Sequence, residues 1–270
     1  MKLIESSVQI IEEKDPYKMI ELAGRTCYKS EDKTTENSAK EFVDRMIKLG
    51  HGAMLEHGTI YLKIDKTEDG HLPPARLYWS DGNHKKYTRV RKHGNSIYVT
   101  TNLRVIVENN RLDDLQYQVD PTEHHEIRIT AKFICDRGVS HEFVRHRVFS
   151  FAQESQRYCN YSKDKFNNEI TFIMPSWWNY NSSIIESGER YFCEILQKCE
   201  DYYKSLLDMG YKPQEARVVL PNATKTELVM TGFESDWENF FELRCSKAAH
   251  PDAQKLANEL KELLINVKKY

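Results

Sequence analysis

A chain of 270 residues with 40% hydrophobic content is long enough to bury a sizeable core. Its formal net charge of −2, from 39 basic and 41 acidic residues, excludes a global basic field that would recruit nucleic acid. Cys27, Cys135, Cys159, Cys193, Cys199 and Cys245 form no Cys-x-x-Cys pair, which argues against a zinc site and a disulfide framework.

Reduced thiols in a cytoplasm are the simplest reading of those cysteines, and Met1 to Ile11 carries an early acid and no long apolar run. Neither a signal peptide nor a membrane span is expected there, so the protein is expected to be soluble and cytoplasmic. Lys2 to Ile11 alternates and reads as one strand. Asp15-Pro16 marks the start of a helix carrying Met19, Ile20, Leu22 and Ala23. Ser38 to Leu49 sets Phe42, Met46 and Leu49 at helical spacing, and Gly50 stops it. Glu56-His57-Gly58-Thr59 leads into a strand over Ile60 to Ile64.

Residues 66–95 lack sustained periodicity, contain Pro73-Pro74 and Asp81-Gly82, and read as a polar insertion. Their basic run, 85–93, reads as a solvated loop or hairpin rather than a nucleic-acid patch. Ser96 to Val107 alternates through Ile97, Val99, Leu103, Val105 and Val107 and predicts a strand bent at Thr101-Asn102. His125 to Cys135 predicts a second long strand with Ile127, Ile129, Ala131 and Phe133 on one face. It feeds Gly138 to Val144 directly into the stretch that follows. Farther on, strands are expected over Ile170 to Met174 and Thr224 to Thr231. Helices are expected over Glu186 to Met209, with Tyr191, Ile195, Tyr202 and Leu206 on one face, from Glu234 to Arg244, and over Asp252 to Val267.

The chain is organised around Arg145 to Tyr158, which sets Arg145, His146, Arg147 and Arg157 against Gln153, Glu154 and Ser155. Adjacent cations repel one another, and a polyanion touching several of them relieves that repulsion. Arginine's planar fork suits phosphate oxygens. A plain surface basic patch, an internal ion-pair cluster with Glu142 and Glu154, and a nucleic-acid patch are the alternatives that the residues leave open.

The spacing Arg-His-Arg, seven residues, Ser155, then Arg157-Tyr158 resembles the signature of the flavin-dependent thymidylate synthases, which make dTMP from dUMP. Further similarity runs from about Glu56 to about Leu260. The resemblance implies that Arg145, His146 and Arg147, with His57, Thr59 and Asn239, serve FAD. It implies dUMP contacts at Glu142, Gln153, Glu154, Ser155, Arg157 and Arg217, the last from a segment Ala216-Arg217-Val218-Val219-Leu220-Pro221 like the family's. Arg244, at the end of a helix in Leu243-Arg244, would lie against the pyrimidine and is the catalytic candidate. The chain departs from the commonest family form at Ala152-Gln153, where Asn-Glu is usual, and at Phe233, where many relatives have asparagine.

Together with the interleaved strands and helices, the resemblance implies an α/β (α+β) fold: a central, mostly antiparallel sheet flanked by helices, in a single domain. No Gly-rich loop suggests a Rossmann arrangement. The implied reaction transfers a methylene group from 5,10-methylenetetrahydrofolate to dUMP, with hydride from FAD reduced by NADPH. The folate-only synthases need a cysteine nucleophile, usually preceded by proline, and no cysteine here follows one. Expected partners are the small molecules dUMP and folate and further copies of the chain in a homotetramer with shared active sites; no nucleic acid, membrane or metal is expected.

Overall fold

The computed structural model describes residues 1–67, 69–80, 87–163, 166–178 and 187–267. The expected first strand divides in two: β1 (Lys2–Ile4) pairs parallel with β8 (Thr171–Ile173), and β2 (Ser7–Ile11) pairs antiparallel with β6 (Arg128–Asp136). Alternation continues through the break, which is why the sequence reads as one element. α1 (Pro16–Tyr28) begins where the Asp15 carboxylate accepts from the backbone N–H of Tyr17 and Lys18, at 2.8 and 3.3 Å, with Pro16 preset for the first turn. It ends at Lys29, whose φ of 48° is left-handed. α2 (Ser38–Lys48) buries Ala39, Phe42, Val43 and Met46 and closes at Gly50, φ 69°. α3 (Gly52–Leu55) then leads into β3 (Thr59–Asp65).

The stretch expected to be irregular is ordered where it is described. It holds α4 (Pro74–Ser80) and a hairpin of β4 (Arg89–His93) and β5 (Ser96–Asn102), turned at Gly94 with φ 52°, and makes a sheet of order β3-β5-β4. Position 68 and positions 81–86, with Asp81-Gly82, Lys85 and Lys86, lie outside the described residues. The seven residues of α4 are too few to show a period, and β4 is an edge strand on which Arg91, Lys92 and His93 are exposed, so neither carries an apolar pattern. Trp79 of α4 is fully buried and donates to Asp114 at 2.9 Å.

The expected strand over Ser96 to Val107 is also corrected. The chain leaves the sheet at Asn102, whose side chain accepts from the Val105 N–H at 3.1 Å, and α5 (Leu103–Glu108) follows. A local cap overrides the alternation of Leu103, Val105 and Val107.

The central sheet is antiparallel throughout, with order β2-β6-β9-β7, where β7 is Ser150–Gln153 and β9 is Lys225–Phe233. One face carries Ala131, Phe133, Leu228 and Met230 into a core closed by α6 (Arg137–Phe143), α9 (Glu234–Arg244) and α10 (Pro251–Val267). On the other face Ala152 and Val229 pack on Ala23 of α1. α7 (Ser187–Asp208) and α8 (Pro213–Ala216) complete the chain; Glu186, the expected start of α7, lies outside the described residues. On α7 only Leu206 of the expected face packs against the core. Tyr191, Ile195 and Tyr202 are exposed, while Leu196 and Tyr203, seven residues apart, enter the core. The helix carries two apolar stripes, and periodicity alone does not rank them. Among the described residues no helix is long and apolar enough to cross a membrane.

Candidate functional site

α6 starts where Asp136 accepts from the Val139 N–H at 2.7 Å and ends at Phe143, so the chain turns just before Arg145. The turn is pinned by His146 N–H to Phe143 O and Phe149 N–H to His146 O, both 3.1 Å, and by Phe149 packing on Trp237 with ring centroids 4.6 Å apart. Arg145, His146 and Arg147 therefore stand on a turn beside α9, which delivers Asn239 and Arg244. These residues and Glu142 line one cavity of about 630 Å³.

Arg244 is the hub of that cavity. Its Nη1 donates to Glu142 Oε2 at 2.6 Å, its Nη2 to the Glu142 carbonyl at 2.7 Å, and its Nε to His146 Nε2 at 3.0 Å. A guanidinium has five N–H groups, so two remain for a ligand. Burial and the adjacent Arg244 charge pull the His146 imidazole down to about 4. Arg145 and Arg147 have no carboxylate partner among the described residues.

His57 and Thr59 line a different cavity, of about 830 Å³, with Tyr61, Arg128 and Thr130. His57 is wholly buried; its Nδ1 is 2.8 Å from Thr231 Oγ1, and its Nε2 has no partner among the described residues. Burial and Arg128 lower its pKa to about 3, so the ring is neutral at pH 7. Arg128 ties this region together: Nη1 donates to the Glu56 carbonyl at 2.9 Å and to Thr59 Oγ1 at 3.2 Å, and Nη2 to Ser150 Oγ at 3.4 Å. Burial pulls it down to about 10. Sequence reasoning missed Arg128, although a cation between Ile127 and Ile129 marks the face of the strand opposite its apolar one.

The remaining predicted residues form a third group. Gln153 donates to Ser140 Oγ at 2.8 Å and Thr226 Oγ1 at 3.2 Å, which joins α6 to β9. Glu154 is buried, bound by Lys225 Nζ at 2.7 Å and by the Tyr161 hydroxyl at 3.2 Å. Both candidates are thus committed to internal hydrogen bonds. Nearby, Glu227 sits among Lys29, Lys132 and Lys225 at 2.7, 2.6 and 2.6 Å. The Ser155 N–H donates to the Cys27 carbonyl at 2.9 Å, and Arg157 is exposed with its guanidinium 5.4 Å from the Tyr158 ring. Arg217 follows α8. It lies close enough to Arg137 to lower the latter's pKa further, beyond what burial does. Arg137, Arg157 and Arg217 have no carboxylate partner among the described residues. The ion-pair alternative is therefore half right: Glu142 and Glu154 are paired, but with Arg244 and Lys225.

The model of a family described as "Thymidylate synthase complementing protein" matches residues 9–69 and 115–268. The unmatched residues between them hold α4, β4, β5 and α5. The chain is similar to flavin-dependent thymidylate synthases. It is 35% identical to that of Geobacter sulfurreducens over 131 residues (48% of this chain, 53% of that protein). It is 30% identical to that of Pyrococcus furiosus over 128 residues (47% and 50%). With that of Mycolicibacterium vanbaalenii it shares 24% over 261 residues (92% and 75%). The chain thus spans about half the length of the first two. A UMP/dUMP methylase, PolB from Streptomyces cacaoi, solved with 5-Br dUMP, aligns with 16% identity and a TM-score of 0.46 over 98% of this chain and 93% of that one.

Proposed function

Because the chain belongs to the thymidylate synthase complementing protein family, whose model matches residues 9–69 and 115–268, we propose that it catalyses flavin-dependent methylation of dUMP to dTMP. The methylene donor in this reading is 5,10-methylenetetrahydrofolate, and NADPH reduces the flavin. The observation that carries the reading is the cavity in which Arg244, fixed by Glu142 and His146, keeps two N–H groups for a ligand beside the unpaired Arg145 and Arg147.

The residues fit a flavin. A largely apolar cavity wall that carries His57 and Thr59 suits a flat heteroaromatic ring, and two free arginines suit a pyrophosphate. His57, Thr59 and Asn239 would hold the ring system, and Arg145 and Arg147 its phosphates. Bound FAD, once reduced, supplies the hydride that no side chain can.

The chain's own residues bind and polarise dUMP. Arg157 and Arg217 take the phosphate dianion, with Ser155 donating a neutral hydrogen bond. Arg244 sets a fixed positive charge against the pyrimidine edge and stabilises its electron-rich form, an effect on the order of 3–4 kcal/mol by analogy with oxyanion sites. His146, neutral and accepting from Arg244 Nε, and Glu142, accepting from both Nη atoms, orient that guanidinium.

The three groups of residues line different parts of one chain, which supports active sites that draw on more than one subunit, in the homotetramer that the resemblance implies. The exposed Tyr191, Ile195 and Tyr202 on α7 suit such a contact. The decisive test is the visible spectrum of FAD-supplemented protein after gel filtration, before and after dUMP. Retained flavin absorbance that shifts with dUMP, followed by dTMP formation with methylenetetrahydrofolate and NADPH, is expected. A colourless protein indifferent to dUMP would overturn the assignment.

A further inference from the structure

One cavity remains unused by this reading. It has about 570 Å³, lies at the C-terminal end of α1, and is walled by Arg25, Lys29, Lys33, Arg45 and Lys163 against a single lining acid, Asp32. Arg25 is held by Glu21 at 2.7 Å, and Lys29 by Glu227 and Glu31 at 2.7 and 2.9 Å. Lys33, Arg45 and Lys163 are exposed and have no carboxylate partner among the described residues. Arg45 is nevertheless oriented, its guanidinium 5.3 Å from the buried Phe42 ring.

The cleft is physically joined to the nucleotide segment. Tyr28, which lines it, has its ring 5.2 Å from that of Tyr158, and the Cys27 carbonyl takes the Ser155 N–H. Cations facing one concave wall repel each other and focus a positive potential that a chain of anionic groups relieves. A volume of this size admits a flexible tail rather than a lone ion.

We propose that this cleft binds the polyanionic end of a co-substrate whose reactive end lies in the nucleotide site, an inference that rests on the function proposed above. Two co-substrates carry such an end: a folate bearing a chain of γ-linked glutamates, and a nicotinamide dinucleotide with its phosphates. The shared chemistry is a row of carboxylate or phosphate charges on a flexible chain.

The test is calorimetric binding to the FAD-loaded protein. The probes are monoglutamyl and pentaglutamyl folinate and NADPH, and the variants are Lys33→Glu/Arg45→Glu and, separately, Lys163→Glu. All three positions are exposed, so folding is expected to survive, and a thermal melt checks it. Loss of two charge-assisted contacts is expected to weaken the tail-bearing ligand by about tenfold or more. If the pentaglutamate binds more tightly than the monoglutamate and the gap closes in the variants, the folate tail is the occupant. If NADPH binding alone weakens, the dinucleotide is. If neither moves, the inference is overturned. The flavin shift with dUMP, recorded on the same samples, separates the two ideas: a normal shift with unmoved tail binding removes only this inference, whereas no shift in the unaltered protein removes the proposed function.

Discussion

Arg244 donates through Nε to Nε2 of His146 at 3.0 Å, and this bond fixes the ring's tautomer. Nε2 is the acceptor, so a hydrogen on the ring resides on Nδ1, and a second proton on Nε2 breaks the bond and sets two cations side by side.

That relationship has a pH signature. The ordinary histidine value is 6.5, and the folded values are about 4 for His146 and about 3 for His57. Both folded values are depressed, so the unfolded chain binds more protons across that interval. Stability is therefore full above pH 6.5 and falls as the pH drops toward the folded values, by up to about 1.4 kcal/mol per pH unit for each histidine. Urea denaturation at pH 7 and pH 5 is expected to show a smaller loss in His146→Asn than in the unaltered chain. An identical loss in both would remove His146 from the account.

Replacing Arg244 tests the catalytic assignment. Arg244→Lys keeps the charge but cannot bind Glu142 twice and His146 at once. The turnover number with saturating dUMP is expected to fall by about 10²–10³-fold, as when one preorganised donor to a developing charge is lost. A change confined to KM would make Arg244 a binding residue only.

Gly232 supports the cationic turn from behind. A Cβ there would lie 2.4 Å from Phe149 Cδ1 and Cε1, and Phe149 anchors the turn on Trp237. Gly232→Ala is expected to cost about 1–3 kcal/mol in thermal or urea unfolding. It should also weaken FAD retention through the displaced Arg145 and Arg147; stability lost with flavin binding intact would disconnect the two.

Glu227 anchors a buried charge cluster. Burial raises its pKa, but Lys225 and Lys29 outweigh that and hold the carboxyl well below the usual range. Glu227→Gln leaves Lys29, Lys132 and Lys225 crowded around a neutral group, and a loss of about 3–5 kcal/mol is expected. Glu227→Gln/Lys132→Met, which removes one of the stranded cations, is expected to recover part of it, as a double-mutant cycle in urea measures.

What the sequence disclosed followed from strong local signals. Asp15-Pro16 announced α1, the apolar alternation of Ile129, Ala131 and Phe133 announced β6, and the motif spacing singled out the turn that meets Arg244. What it concealed depended on distant partners. β4 is a strand only because β5 pairs with it, and Arg128 matters because Glu56, Thr59 and Ser150 converge on it from three separate segments. The pairing of Glu154 with Lys225 spans 71 positions and has no local trace.

The division of the first strand has a consequence for biosynthesis. β1 and β2 are made well before the strands they pair with, since Leu3 pairs with Phe172 and Val8 with Phe133. At about 5–20 residues per second, roughly ten to thirty seconds separate the appearance of Leu3 from that of its partner. Until Phe172 appears β1 has no strand to pair with, so the two-stranded sheet it makes with β8 is closed by a contact between distant parts of the chain.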